Sequence, residues 1–63
     1  MEYRLVVEGE LSDESVRAFE EMTLSADGGK TVLVGPVRDQ SELYGLLRRI
    51  FSLGLTLSSA TRI

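Results

Sequence analysis

The chain contains 63 residues with a net charge of −3, and it has neither cysteine nor histidine. The missing cysteines exclude disulfides, thiolate catalysis and cysteine-ligated metal sites, and the missing histidines remove the usual general base and the commonest metal ligand. Because so short a chain builds only a small core with no disulfide to reinforce it, the composition predicts one domain over residues 1–63 that self-associates as a homo-oligomer, with a dimer expected.

Charge is unevenly distributed along the chain. Residues 1–27 contain eight acidic and two basic side chains, whereas residues 28–63 contain two acidic and five basic ones. The net negative charge disfavours nucleic acid, no apolar run approaches the roughly 20 residues that span a bilayer, and the first residues do not form a signal peptide. We therefore expect a cytoplasmic protein that binds neither nucleic acid nor membrane.

The first predicted elements are a half-buried strand over residues 3–11 and a short helix over residues 13–21. Apolar and polar side chains alternate along the strand, with Val6 as the exception on the polar side. Ser12 is the predicted N-cap, because acidic residues favoured by the helix dipole follow it directly. The expected apolar stripe, which includes a hydrophobic staple, consists of Leu11, Val16 and Phe19.

Residues 22–26 decide the topology. If they continued the helix, the chain would be a βαβαβ unit, but their apolar and polar side chains alternate as in a short strand. The glycine pair at residues 28–29 then supplies the positive φ angles of a tight hairpin turn, and residues 30–37 form a buried strand. We favour the hairpin, although a helix end at residues 22–26 stays open at this point.

The second helix has clear boundaries in the sequence. Pro36 ends the preceding strand, and Asp39 with Glu42 three residues later has the spacing of a capping box. Gly54 stands where a left-handed helix stop belongs, and residues 55–63 form a closing strand. The apolar stripe of this helix, with aromatic residues along one flank, consists of Leu43, Tyr44, Leu46, Leu47, Ile50, Phe51 and Leu53.

The element order βαββαβ predicts an α+β, ferredoxin-like fold, in which two helices cover one face of a four-stranded antiparallel sheet. The other face stays open and is mixed, small and partly apolar. Faces of this kind commonly pair with a second copy or with a protein partner. The residues expected on this open face are Arg4, Val6, Glu8, Thr56, Ser58 and Ala60.

A second candidate partner surface lies on the outer arc of the second helix. At 100° per residue this arc, opposite the leucines, consists of Gly45, Arg48, Arg49 and Ser52. One interpretation is a solvated face. The other is a notch at Gly45, rimmed by guanidinium groups, that receives an acidic partner or ligand. An exposed glycine within a helix costs about 0.5–1 kcal/mol relative to alanine, and a notch that receives a partner would explain why the chain has one here.

Other patterns that resemble functional sites have structural explanations. The carboxylates of Asp39 and Glu42 have the spacing of helix caps, and residues 27–30 lack the GxxxxGK[ST] frame of a phosphate loop. Of the four aromatic residues, Tyr3, Phe19 and Phe51 are expected in the core and Tyr44 at its edge, which leaves none to stack RNA bases on the open face. The sequence therefore predicts no catalytic residue, no metal site and no cofactor.

The chain resembles a group of small uncharacterised bacterial proteins over nearly its whole length. In that group a Gly-Pro strand end precedes an Asp-Gln cap, a Gly-Leu-Leu helix and a Leu-Gly-Leu step into a closing strand. The chain departs from the group at Tyr44, where histidine is frequent, and it lacks the tryptophans of the group's first helix. The matching positions are Tyr3, Gly9, Leu11, Phe19, Leu24, Asp27, Gly28, Gly35, Pro36, Asp39, Gln40, Leu43, Gly45, Leu46, Leu47, Ile50, Leu53, Gly54 and Leu55.

Three functional hypotheses follow. The first is a non-enzymatic module that self-associates and binds a further protein. The second is a small-ligand sensor, in which turns and helix N-termini at a subunit interface hold an anionic metabolite. Residues 35–62 are also similar to the start of the amino-acid-binding ACT domains. The third is a cofactor-free enzyme, which would require Tyr44 or Arg48 inside a closed apolar pocket with a buried carboxylate.

Overall fold

The computed structural model describes residues 1–63 as one antiparallel sheet with two helices. The strand order is β2-β3-β1-β4, which confirms the predicted ferredoxin-like α+β fold. Residues 22–26 mostly form a strand, so the hairpin topology is correct. The elements are β1 (Glu2–Glu8), α1 (Asp13–Arg17), β2 (Thr23–Asp27), β3 (Lys30–Pro36), α2 (Gln40–Ser52) and β4 (Leu57–Arg62).

Helix α1 is shorter than the predicted helix. Ser12 caps it as expected, accepting a hydrogen bond from the Ser15 amide at 3.2 Å. After α1 the chain continues in turns, in which the Phe19 amide donates to the carbonyl oxygen of Val16 at 3.1 Å and the Met22 amide to that of Phe19 at 3.0 Å. These i→i+3 bonds tighten the segment and carry Phe19 and Met22 into the core.

The buried side of this segment differs by one position from the prediction. Ser15, Phe19 and Met22 are buried, at the spacing i, i+4, i+7 of a helical stripe, whereas Val16 is 42% exposed. The prediction that Val16 continues the apolar stripe into the core is therefore wrong. A one-residue step turns a side chain about 100° around a helix, which is enough to move Val16 from the core side to the surface.

The β2–β3 hairpin is closed by the glycine pair. Gly28 and Gly29 have φ angles of 57° and 83°, as a two-residue turn that matches the strand twist requires. The turn sets a register that pairs Asp27 with Lys30, so β3 becomes a central strand between β2 and β1. Pro36 is the last residue of β3, as predicted.

The pairing of β1 with β4 contains a register shift that the sequence did not reveal. Val6 pairs with Ser59 and Val7 with Leu57, so Ser58 has no partner in β1. Beyond this bulge, Ala60 pairs with Leu5 and therefore lies on the helix-covered face. The prediction that Ala60 lies on the open face is wrong, because a shift of one residue moves every following side chain to the other face.

The core lies between the helix-covered face of the sheet and α2, and the turn after α1 closes one side. Helix α2 begins at the Asp39 cap, whose carboxylate accepts from the Glu42 amide at 2.9 Å, and Gly54 follows its end with a φ of 76°. Neither helix has the length and apolar character needed to cross a bilayer. The nine core residues are Leu5, Val7, Phe19, Met22, Leu33, Val37, Leu43, Leu46 and Ile50.

Candidate functional site

A cleft of about 430 Å³ lies beside α2 at the glycine that the sequence singled out. Gly45 is one of the residues that line it, and a Cβ atom added there would meet no atom within 4 Å. Arg49 also lines the cleft, but Arg48 and Ser52 do not, so the structure brings together only half of the predicted helix surface. The lining residues are Glu21, Pro36, Arg38, Glu42, Gly45, Leu46 and Arg49.

One rim of the cleft is an ion pair at the start of α2. The Nε atom of Arg38 donates to one carboxylate oxygen of Glu42 at 2.8 Å, and the Arg38 amide donates to the other at 3.1 Å. The guanidinium hydrogen bond is the main cause that lowers the pKa of Glu42 below its usual range, and the same bond raises the pKa of Arg38.

This contact corrects the predicted capping box. Asp39 caps the helix as expected, but Glu42 accepts from the amide of Arg38 instead of the amide of Asp39. The guanidinium of Arg38 explains why the Glu42 carboxylate bonds to residue 38 and not to residue 39. At Arg38 the carboxylate accepts one hydrogen bond from the backbone amide and a second from the charged side chain.

The opposite rim is formed by Arg49, which connects α2 to the turn after α1. Its guanidinium donates to the carbonyl oxygen of Ala18 and, at 3.2 Å, to the carboxylate of Glu21. The same group lies 5.7 Å from the centre of the Phe19 ring, within reach of a cation–π contact. Arg49 is therefore engaged within the chain, whereas Arg48 is exposed and makes no ion pair.

The cleft is balanced in charge. Two guanidinium groups face two carboxylates, and each cation is already paired with an anion at 2.8 or 3.2 Å. A purely acidic partner would have to compete with Glu21 and Glu42 for these cations. The arrangement therefore suits a ligand that carries one positive and one negative group better than it suits an anion, because such a ligand can pair with a carboxylate and a guanidinium at once. The Ser52 hydroxyl is outside this cleft and donates to the Arg49 carbonyl at 3.1 Å.

The open face of the sheet carries less exposed apolar surface than its sequence suggests. Val6 and Val32 lie opposite each other at the centre, and they are only 8% and 6% exposed. The ion pair between Glu8 and Lys30, 3.5 Å apart, lies beside them. The sequence analysis missed the other residues of this face, because the pairing register of the strands cannot be read from the sequence pattern. These residues are Thr23, Ser25, Val34, Ser59 and Thr61.

Helix α2 carries an exposed aromatic surface, part of which was expected in the core. Tyr44 and Phe51 are 57% and 58% exposed, seven residues apart on one side of α2, with half-buried Leu47 between them. We call these three residues the aromatic flank. The expectation that Phe51 lies in the core is wrong, because it is about 80° around the helix from Leu43, on the side opposite Arg49. The sequence did contain a signal for this surface, since two aromatic residues seven positions apart beside the leucine stripe lie on the same side of a helix.

Neither a metal site nor an unexplained buried polar group is present. No cluster of three or more carboxylates could hold a metal ion, and every buried side-chain nitrogen or oxygen has a hydrogen-bond partner.

No curated protein and no solved structure gives a significant match to the chain. A family described as a domain of unknown function (DUF8691) matches residues 2–61, which is nearly the whole sequence. The chain therefore belongs to this family.

Proposed function

We propose that the chain is a non-enzymatic self-association module that works as a homodimer. The observation that carries this proposal is the aromatic flank. An aromatic side chain buries about 150–250 Å² when it lies in a core. A ring that stays half exposed therefore leaves roughly 100 Å² in water, and burying that area would stabilise the chain by about 2–3 kcal/mol per ring. Covering both rings with another copy recovers this free energy, which a chain with only a nine-residue core needs.

The other two candidate surfaces fit this role less well. The cleft beside Gly45 has its charges paired, and the valines of the open face are already shielded by their neighbours. The aromatic flank is continuous with the core through Leu47, which is half buried and packs against it. A cytoplasmic location and a bacterial source, which the sequence and its resemblance predict, are part of this proposal.

The test is the oligomeric state across a concentration series. Analytical ultracentrifugation of the wild-type chain from low to high micromolar concentration should show a dimer, and a Phe51→Lys variant should shift towards monomer. Val16→Lys is the matched control, since it places the same charge on a similarly exposed apolar position away from the flank. A wild-type chain that remains monomeric at high micromolar concentration contradicts the proposal.

A second candidate function is the binding of a small ligand that carries both charges. The balanced cleft favours it, because Arg38 and Arg49 could hold an anionic group while Glu21 and Glu42 hold a cationic one. The likeness of residues 35–62 to ACT domains supports amino acids as the first class to try. Zwitterionic amino acids should raise the melting temperature of the wild-type chain and fail to do so for Gly45→Leu, which fills the cleft. An unchanged melting curve across all amino acids contradicts this function.

No observation favours the enzyme hypothesis. Tyr44 and Arg48 are both exposed, and neither lines a cleft. Neither residue therefore lies inside a closed apolar pocket, as an enzyme of this kind would require, and we propose no reaction.

A further inference from the structure

Strand β4 forms an outer edge of the sheet with unpaired backbone groups. The Ile63 amide donates to the Glu2 carbonyl at 2.9 Å, towards β1. Because the bonding direction alternates along an antiparallel ladder, Ser59 and Thr61 also point towards β1. Ala60 and Arg62 point the other way, so their N–H and C=O groups face outwards without a strand partner.

This edge has little protection against pairing. Natural edge strands are usually blunted by lysine, proline, inward-pointing charges or a bulge in the strand. The only bulge of β4 lies at Ser58, near its start, and Arg62 is the only charged residue in the strand. Residues 58–61 are small and uncharged. The other edge strand, β2, has five residues against six in β4 and ends at a charged residue, Asp27.

The aromatic flank lies on the same side of the molecule as this edge. The flank of α2 that carries Arg49 contacts Ala18 and Glu21, and the turn that contains Glu21 packs on Gly35 of β3. The α1 segment therefore covers the β2–β3 half of the sheet. The opposite flank of α2, with Tyr44 and Phe51, faces the β4 half.

We propose that two copies of this chain pair β4 to β4 in antiparallel orientation about a twofold axis at Ala60. The two sheets then form one eight-stranded sheet, and the two aromatic flanks pack against each other above the junction. This inference rests on the self-association proposed above and specifies the surface. In this register Ala60 pairs with the partner's Ala60, and Arg62 lies opposite the partner's Ser58.

Three observations favour a second copy as the occupant. An antiparallel strand pair is self-complementary under a twofold axis, as a closed dimer requires. The register places no like charges opposite each other, since the sole charged residue of β4 faces a serine. A stable dimer buries roughly 800 Å² per partner, about a fifth of the 4086 Å² surface of the chain. The β4 edge and the aromatic flank lie on the same side of the molecule, so both can contribute to that area.

The decisive variant is Ala60→Pro. Proline removes the outward N–H of residue 60 but none of the bonds to β1, and edge strands tolerate proline at such positions. We expect Ala60→Pro to keep the circular dichroism spectrum of the wild-type chain and to sediment as a monomer. Ala60→Val keeps the N–H and should remain a dimer, which controls for the change of side chain.

A cross-linking experiment locates the contact independently. The chain has no cysteine, so Ala60→Cys introduces a single thiol. Hydrogen-bonded antiparallel pairs have Cα atoms about 5.5 Å apart, within the range that a disulfide spans. Oxidised Ala60→Cys should run as a covalent dimer, whereas Ala26→Cys, the equivalent outward position on the helix-covered side of β2, should stay monomeric on a denaturing gel.

The outcomes separate this inference from the proposed function. A monomeric wild-type chain overturns both. A wild-type dimer that persists in Ala60→Pro and gives no cross-link in Ala60→Cys overturns only the β4 pairing. Open-ended oligomers, or cross-links between residues 26 and 60 in the double cysteine variant, indicate β2-to-β4 pairing and also overturn it.

Discussion

At Gly45 the missing side chain leaves open space in the middle of a 13-residue helix. Since a Cβ there meets nothing within 4 Å, Gly45→Ala should stabilise the chain by about 0.5–1 kcal/mol through helix propensity. For a domain of this size the melting temperature should rise by roughly 2–8 °C. Thermal unfolding followed by circular dichroism at low protein concentration measures this change.

Gly54 provides the matched control for this prediction. An added Cβ also meets nothing there, but the backbone φ of 76° is a conformation that other residues rarely adopt. Gly54→Ala should therefore destabilise the chain by about 1–2 kcal/mol. If Gly45→Ala instead lowered stability, another surface would have to pack on that glycine, and the cleft would be an interface.

The carboxylate of Glu42 should make stability depend on pH. Because the hydrogen bond from Arg38 lowers the pKa of Glu42 in the folded chain, the contribution is complete above the unfolded pKa, near 4.3. It is lost as the pH falls through the lower pKa of the folded state. The melting temperature of the wild-type chain should therefore fall more steeply below pH 4 than that of Glu42→Gln. Parallel curves for the two proteins would refute the pairing.

At the scale of elements, two neighbouring arginines should have different effects. Arg49 connects α2 to the turn after α1 through Ala18, Glu21 and the Phe19 ring, whereas Arg48 is exposed and makes no ion pair. Arg49→Ala should destabilise the chain by about 1–2 kcal/mol, while Arg48→Ala should stay within about 0.5 kcal/mol of the wild-type value. Urea unfolding measures both, and equal effects would show that the connection does not stabilise the fold.

Strand β3 and the turn after α1 approach each other closely at Gly35. A Cβ there would lie 2.6 Å from the Met22 sulfur and 3.2 Å from the Glu21 carbonyl oxygen. Gly35→Ala should therefore cost about 1–3 kcal/mol through overpacking. Combining it with Met22→Ala, which removes the sulfur, should cost less than the sum of the two single variants. Strict additivity in this double-mutant cycle would contradict the close contact.

The elements that local residues determine were predictable, and those that depend on distant pairing were not. Ser12, Asp39 and Gly54 marked helix ends correctly, because caps and stops act within one turn. The side of Ala60 was mispredicted, since the Ser58 bulge arises only when β4 meets β1. On α2, the sequence drew attention to Gly45, which lines the cleft. It could not show that Arg49 bonds to Glu21, because that contact depends on where a turn 28 residues away in sequence lies in the fold.

At the scale of the whole molecule, stability depends on a few large side chains. Phe19 is completely buried in the nine-residue core, while Phe51 is more than half exposed. Phe19→Ala should cost about 3–5 kcal/mol, close to the roughly 3–9 kcal/mol that a chain of this length possesses, and should leave it largely unfolded.

Phe51→Ala removes the same ring from the surface. At protein concentrations low enough to keep the chain monomeric, it should cost less than about 1 kcal/mol, because most of the ring is already in water. Denaturant titrations of the two variants test this contrast. Similar losses for both would mean that Phe51 is buried in solution.

The strand order also determines when each part of the sheet forms during folding. A two-residue turn joins β2 to β3, so their hairpin closes within about 1–10 μs, whereas pairing β1 with β4 brings Tyr3 to Arg62 across nearly the whole chain. The loop-closure entropy of that long connection delays β4, and pulse-labelled hydrogen exchange should protect the Ser25 amide before that of Thr61. Until β4 docks, the central strand β1 is itself an open edge. The late docking of β4 would therefore also complete the edge at which we propose that a second chain pairs, so the proposed dimer should form only after the monomer has folded.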